Sequence, residues 1–251
     1  MSFALSEVQR RLPEHPIYWH PSLDSTMTEA GRLAGGGCPH GTAVVADEQH
    51  AGVGRHGHSW HSEAGSGLYV SVVLRLAFPV EAFPGLTLAV GLAAREAVLE
   101  AAGVVCDLRW PNDLLIGDRK CAGILLNLEG SVVITGIGIN VNHANFPEEI
   151  AGQATSLRMT AGREFRREDL LVELLPALDR YCELILEEGI EPVLRLFAAA
   201  SSYVAGRRVK VEQEGGVLTG VTAGLDEKGF LQLRQENGKL VTILAGGVRP
   251  A

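Results

Sequence analysis

The sequence predicts an α+β fold, a mixed or antiparallel sheet packed with helices, followed by a small C-terminal β-barrel. Three observations predict it. Residues 114–142, LLIGDRKCAGILLNLEGSVVITGIGINVN, read as successive apolar strands joined by short turns at Gly117–Asp118 and Glu129–Ser131, so consecutive antiparallel pairing is the natural topology. Helical patterns at 85–102, 167–188 and 191–201 do not alternate one by one with strands, which argues against a doubly wound parallel sheet. From residue 205 the short runs RRVKVEQ, GVLTGVTAG, FLQLRQ and KLVTIL alternate with turn signals at Gly215–Gly216, Asp226–Gly229 and Asn237–Gly238, a hairpin-rich pattern. The chain is therefore divided into domains at 1–204 and 205–251.

The elements follow in order. Asp24–Leu33 reads as a helix start, with Thr26 and Glu29 at capping-box spacing and Gly35–Gly37 closing it. Residues 41–46, GTAVVA, are small and β-branched enough for a buried strand, and LYVSVVLRL at 68–76 reads as another. GLTLAVGLAAREAVLEAA at 85–102 is a largely buried helix between Pro84 and Gly103, and VVCDLRW at 104–110 is a strand broken by Pro111. The amphipathic helices at 167–188 and 191–201 are expected to cover one face of the sheet.

Composition bounds the function. With 251 residues, 46% of them hydrophobic and 21% charged, the chain has ample length for a core. No apolar run reaches membrane-spanning length and the start MSFALSEVQRRLPEHP has no secretory h-region, so the expectation is a cytoplasmic protein with no membrane partner. Cys38, Cys106, Cys121 and Cys182 are scattered without a C-x-x-C pair, which suits reduced thiols better than disulfides or a zinc site. A net charge of −8 argues against a sequence-independent nucleic-acid binder, and Arg163, Arg166 and Arg167 read as a solvated helix entrance.

Within AGVGRHGHSW at 51–60, Gly52, Gly54 and Gly57 have the spacing of a dinucleotide-binding turn. The left flank is a strand, but the right flank is HSWHSEAGSG and then a second strand. No helix opens to aim its dipole at a pyrophosphate, and Glu81 lies beyond the second strand rather than at its end. A long glycine-rich loop between two strands remains, carrying Arg55 and histidines. His50, His56, His58 and His61 stand without the carboxylate or cysteine partners that zinc sites use, so metal capture there is not expected. GHSWH at 57–61 also fails as G-x-S-x-G, since His61 occupies the second glycine's place.

Three further segments put polar groups where they need explaining. Lys120 interrupts an otherwise apolar strand after the Trp110-Pro111-Asn112-Asp113 turn; it either meets an anion or is a solvated hairpin lysine. Asn140 ends the strand GIGINVN, as a ligand contact or a plain strand end. Ser25 and Thr26 carry hydroxyls that bind a ligand or cap the helix.

Taken together and in this order, these segments resemble the biotin protein ligases. The resemblance covers essentially the whole chain: Asp24-Ser25-Thr26, the Gln49-His50-Ala51-Gly52 and Gly54-Arg55 loop with Trp60, SGLYVSVVLR at 66–75, WPND at 110–113, DRKCAGIL at 118–125, GIGINVN at 136–142, and a C-terminal SH3-like barrel. It implies an enzyme that activates biotin with ATP and Mg2+ to biotinyl-AMP and transfers biotin to one lysine of a biotin carboxyl carrier protein, with no tightly bound prosthetic group. By position in the motifs, Lys120 binds the biotin carboxylate and the α-phosphate, and Arg55 the phosphate side of the intermediate. Ser25, Thr26 and Gln49 bind the ureido ring, with the Gly52 and Gly123 backbones close to the ligand. Trp60 packs on adenine, Asn112 and Asn140 lie near ATP, and Asp113 serves magnesium or orients the incoming lysine. The rivals are a lipoate-protein ligase of the related fold and a non-catalytic biotin-binding regulator. The Asp24-Ser25-Thr26 segment so near the start leads us to expect a monofunctional chain without a DNA-binding domain. The resemblance also implies a possible homodimer formed through the sheet edge. The loop departs from the more basic family pattern at Val53, His56 and His58, Met27 stands where asparagine is usual, and the Arg249 region matches only loosely. Loop histidines, neutral near pH 7, predict weaker retention of the intermediate as pH rises.

Overall fold

The computed structural model describes residues 3–76, 82–213 and 216–251, apart from the His56 side chain. Glu81 and the first residue of the Gly215–Gly216 turn lie outside the described residues, as does the ring of His56. In chain order the elements are α1 (Leu5–Arg11), β1 (Ile17–His20), α2 (Thr26–Gly35), β2 (Thr42–Ala46), β3 (Gly67–Leu74), α3 (Phe83–Ala102), β4 (Asp107–Arg109), β5 (Asp113–Ile116), β6 (Arg119–Glu129), β7 (Val132–Asn140), α4 (Glu148–Ala151), α5 (Leu157–Ala161), α6 (Arg167–Glu188), α7 (Glu191–Ala199), β8 (Ala205–Gln213), β9 (Gly216–Leu225), β10 (Leu231–Arg234), β11 (Leu240–Ile243) and β12 (Gly247–Pro250).

The first seven strands form one sheet in the order β1-β2-β3-β7-β6-β5-β4. Only β1 and β2 run parallel; every other pair is antiparallel, and β4 to β7 pair consecutively as the turns at 117–118 and 130–131 dictate. The sheet separates two layers because successive side chains point to opposite faces. Leu68, Val70, Val72 and Leu74 of β3 enter the large core with α3 and α6, whereas Val73, with Val44 and Ile134, packs against Ala30 and Ala34 of α2. The helices α3, α6 and α7 thus cover one face as the amphipathic patterns require. The far side of the sheet is covered only in part, by α2, and the remainder is left for the site.

Several details differ from the sequence reading. The helices α1, α4 and α5 and the strand β1 were not foreseen, being too short for periodicity to stand out. Arg167, read as part of a solvated helix entrance, is buried with its guanidinium 2.6 Å from the Asp47 carboxylate. The strand read over 104–110 contracts to Asp107–Arg109, since Val104 to Cys106 form the approach after α3 ends on Gly103 in the left-handed region (φ 68°). The capping box at Thr26 and Glu29 does not form. Ser25 is the N-cap, its hydroxyl makes no capping bond, and the side chain of Gln49 takes the Thr26 backbone N–H instead.

The C-terminal strands form a second antiparallel sheet, β11-β10-β9-β8-β12, whose buried face carries Val209, Val211, Leu231, Leu233, Ile243 and Val248. Among the described residues the hydrogen-bonded order ends at β11 and β12. These residues belong to the same continuous core as the first sheet. The indole N–H of Trp110 also donates to the Gly229 carbonyl at 2.9 Å, tying the WPND turn to the C-terminal sheet. All four cysteines are free thiols, with Cys106 and Cys121 Sγ atoms 3.6 Å apart in the core.

The turn before β1 is fastened to α6 by His15, whose Nε2 lies 3.0 Å from the Asp179 carboxylate. The bond to Asp179 holds the imidazole pKa above its usual value against the opposing pull of burial. A raised folded-state pKa contributes stability fully present below the unfolded value of about 6.5 and lost as pH rises through the folded value. Melting temperatures of the wild type and Asp179→Asn are therefore expected to differ most at pH 5.5 and to converge by pH 9; a gap constant over that range would refute the linkage.

Candidate active site

The site begins with glycines. Gly123 of β6 faces Gly138 of β7 across the ladder, and Gly136 faces Ser71 of β3, so three positions on the partly uncovered face of the sheet carry no side chain. A Cβ at Gly138 would lie 2.5 Å from the Trp60 indole, one at Gly123 would lie 2.8 Å from Lys120 Cε and 2.9 Å from the Trp60 ring, and one at Gly136 would lie 2.7 Å from Met27 Sδ. The missing side chains form a trench in a sheet that is otherwise filled to close packing. Trp60 lies across its floor and Met27 at its α2 end.

Polar groups line the closed end. Gln49 Oε1 accepts from the Thr26 N–H (2.8 Å) and the Thr26 hydroxyl (3.1 Å), Thr26 Oγ1 accepts from Ser71 (2.8 Å), and Gln49 Nε2 donates to Ser62 Oγ (2.9 Å). A backbone N–H can only donate, so this relay also fixes which way the Gln49 amide points. Ser25 Oγ and Trp60 Nε1, both buried, have no partner. Each is a polar atom whose burial costs free energy until a ligand meets it.

The glycine-rich loop is an ordered hairpin. Gly54 N–H donates to the His58 carbonyl (2.7 Å), Trp60 N–H to the Gly52 carbonyl (2.8 Å), and Val53 and Ser59 form an antiparallel bridge around a single 3-10 turn at Arg55–Gly57. Gly52 also has a role inside the hairpin. A Cβ there would lie 2.7 Å from the Trp60 carbonyl oxygen, so this glycine serves the close pairing of the hairpin.

Cations gather at the open end. The Asp113 carboxylate sits between Lys120 Nζ, 2.5 Å from Oδ1, and Arg109 Nη2, 2.7 Å from Oδ2. Burial pushes the Asp113 pKa upward, but Lys120 and Arg109 outweigh it and hold the carboxyl below its ordinary value. Two cations against one carboxylate leave the cluster with an excess positive charge. Arg55 adds another: its guanidinium donates to Asn112 Oδ1 at 3.2 Å, and burial pulls its pKa downward. Lys120 Nζ also lies 5.2 Å from the centroid of the Trp60 ring.

The structure brings Ser25, Thr26, Gln49 and Trp60 together with Arg55, Asn112, Lys120 and Gly123 around one cavity of about 50 Å3. Asn140 lines the wider cleft beyond this cavity. Buried, its amide donates to the Thr155 carbonyl (3.1 Å) and the Lys120 carbonyl (3.5 Å), so it fixes the backbone that carries Lys120. Each oxygen of the Asp113 carboxylate already faces a cation. Beyond the cavity a cleft of about 1490 Å3 opens towards the C-terminal sheet, bounded by Lys120 and Asp113 on one side and Leu244 and Arg249 on the other, with His58 on its wall. Sequence reasoning missed Arg109, whose signal was a charge at the end of an apolar strand, and Gly136 and Gly138, visible as glycines alternating along β7.

A glycine-floored chamber that joins unpartnered buried polar atoms to an excess of cations has the features of a small-ligand site with room for an anionic group. Comparison with known proteins gives the particular family. Residues 19–143 match the Biotin/lipoate A/B protein ligase family and residues 204–248 the Biotin protein ligase C terminal domain. The bifunctional ligase/repressor BirA of Bacillus subtilis is 36% identical over 232 residues, covering 90% of this chain and 71% of the relative. The biotin–acetyl-CoA-carboxylase ligase of Mycobacterium tuberculosis is 35% identical, covering 86% and 82%. The solved biotin protein ligase from Aquifex aeolicus in complex with biotin and ATP superposes with a TM-score of 0.85 at 33% identity, over 94% of this chain and 99% of the other. The chain belongs to the biotin protein ligase family.

Asp113 holds two cations side by side, and Asp113→Asn leaves them to repel. After allowance for the 30% exposure of the Lys120 side chain, the variant is expected to lose about 1–3 kcal/mol of stability in urea unfolding at pH 7. A depressed carboxyl pKa contributes stability present above the unfolded value of about 3.9 and lost as pH falls through the lower folded value. The difference between variant and wild type should therefore hold from pH 8 to 5 and vanish in stronger acid. A difference that varies between pH 5 and 8 would assign it to another group.

Proposed function

We propose that this chain is a biotin protein ligase that forms biotinyl-5'-AMP from biotin and ATP and passes the biotinyl group to one lysine of a biotin carboxyl carrier domain. One observation carries the reading: in a chain of this family, the unpartnered Ser25 hydroxyl closes one end of a glycine-floored chamber while Lys120 and Arg55 stand at the other.

In the first step a biotin carboxylate oxygen attacks the α-phosphorus of ATP, and the bond to the bridging oxygen breaks to release pyrophosphate. Both reactants are anions, so their approach needs positive charge fixed in advance. Lys120 supplies a mobile point charge, and Arg55 a planar fork for the phosphate. Arg109 and Asp113 hold Lys120 in place without neutralising the cluster, and Asn140 anchors its backbone. Ser25, Thr26 and Gln49 present the hydrogen-bonding end for the ureido head. Trp60 lies where an adenine or the acyl chain passes over Gly123 and Gly138, and it must shift to admit biotin, which is larger than the cavity as it stands. In the second step the carrier lysine's neutral amine attacks the acyl carbon, and AMP leaves.

A magnesium ion would offset charge on the ATP phosphates. Asp113 is a poor resident ligand for it, because both carboxylate oxygens are already ion-paired. The wide cleft between the sheets is where we place ATP and the carrier. We also infer a division into a catalytic part, 1–204, and a C-terminal domain, 205–251, and a cytoplasmic setting; among the described residues no helix is long and apolar enough to cross a membrane.

Mass spectrometry of the protein with ATP, magnesium and either biotin or lipoate tests the activity. Biotinyl-AMP formed with biotin alone is expected; lipoyl-AMP alone would assign the lipoate branch, and no adenylate with either acid would remove the enzyme reading. Lys120→Ala should slow adenylate formation by about two to three orders of magnitude, as loss of one oxyanion-stabilising group does, measured in single-turnover quench experiments. Arg55→Gly should form biotinyl-AMP yet release it into solution, seen as biotinylation of bystander proteins; release equal to wild type would overturn the role given to Arg55.

A further inference from the structure

The residues that follow the Trp60 hairpin meet the loop beyond β7. His61, Glu63 and His143 each bring a potential ligand atom within 4.8 Å of the other two. The sequence showed His61 without a carboxylate partner. The fold supplies Glu63, two positions on, and His143, eighty-two positions on, because β3 and β7 are neighbours in the sheet.

His143 is fully buried, yet its Nδ1 has no hydrogen-bond partner. Its Nε2 lies 3.2 Å from the Tyr69 hydroxyl, and Tyr69 donates its single proton to the Glu63 carbonyl at 3.1 Å. Tyr69 must then accept from His143 Nε2–H, which leaves Nδ1 as a bare lone pair. Phe146 stacks on the imidazole with ring centroids 4.9 Å apart and fixes its plane. Glu63 is exposed and its Oε2 accepts from Ser66 Oγ at 2.9 Å, and His61 is half-buried at the cleft. A rigid neutral histidine, a second histidine and a hydrogen-bonded carboxylate beside an open cleft make up the donor set of open zinc sites, which use two histidines, a glutamate and a water.

We propose that His61, Glu63 and His143 form a binding site for a borderline divalent cation of the zinc class. Tetrahedral arms of about 2.1 Å set ligand atoms roughly 3.4 Å apart, so binding draws the exposed Glu63 and His61 in towards the fixed His143. A bound ion would pin the segment that carries Ser62, the partner of Gln49, to the end of β7.

The test is binding itself, and it is independent of ligase activity. Chelator-treated full-length protein is titrated with ZnCl2 by calorimetry and with CoCl2 by absorption. One equivalent of Zn2+ is expected, with Co2+ giving the visible bands of a four-coordinate nitrogen and oxygen site and no thiolate charge-transfer band. His61→Ala and Glu63→Gln should each weaken binding at least about tenfold while leaving the apoprotein melting temperature in place. Absence of stoichiometric binding would overturn the proposal. So would affinity unchanged in both variants, or a thiolate band placing the ion on the cysteines.

Discussion

The placement of Asp113 governs the site more than any other contact. Its carboxylate, on β5, lies between Lys120 of β6 and Arg109 of β4, the strands on either side, and all three residues line the cleft that Arg55 also borders. Burying a carboxylate costs several kcal/mol by itself, and the two cations offset that cost while keeping an excess charge for an anion to use. The strands are held to match: β5 pairs with β6 through Asp113 and Gly123, and Asn112 and Asn140 fasten the carbonyls of Ile124, Thr155 and Lys120. A lysine on a flexible stem becomes a preorganised charge because its carboxylate partner and its own backbone are both fixed.

The glycines on the sheet complete the arrangement by subtraction. A β-sheet face is normally tiled by side chains, and a binding trench in it requires residues that contribute none. Gly123, Gly136 and Gly138 do this on neighbouring strands, and Trp60 and Met27 lie over the space they leave. Floor and cover come from different elements, the sheet and the hairpin that carries Trp60.

The same hairpin illustrates how local pattern and tertiary structure divide the work. Its glycine spacing imitates a dinucleotide turn, and the flanking strand excludes that reading. The spacing alone did not reveal that Gly52 serves the hairpin's own pairing, because the constraint is a carbonyl eight residues away. Arg109 was hidden for a similar reason: a charge at the end of an apolar strand reads as exposed until a buried carboxylate is found opposite it.

Legible in the sequence were the strands between 113 and 140, the long helices grouped on one face, the hairpin-rich pattern from 205 and, through motif order, the residues Ser25, Thr26, Gln49, Arg55, Trp60, Asn112, Lys120 and Gly123 that line one cavity. These are legible because periodicity, turn chemistry and motif order are local properties of the chain. Only the tertiary structure decided that Asp113 faces cations, that Asn140 props Lys120, that Gln49 takes over the capping of α2, and that His143 meets His61 and Glu63. Each of these joins residues from separate elements, and which partners meet is set by strand order and register in the sheet, a property of the folded whole.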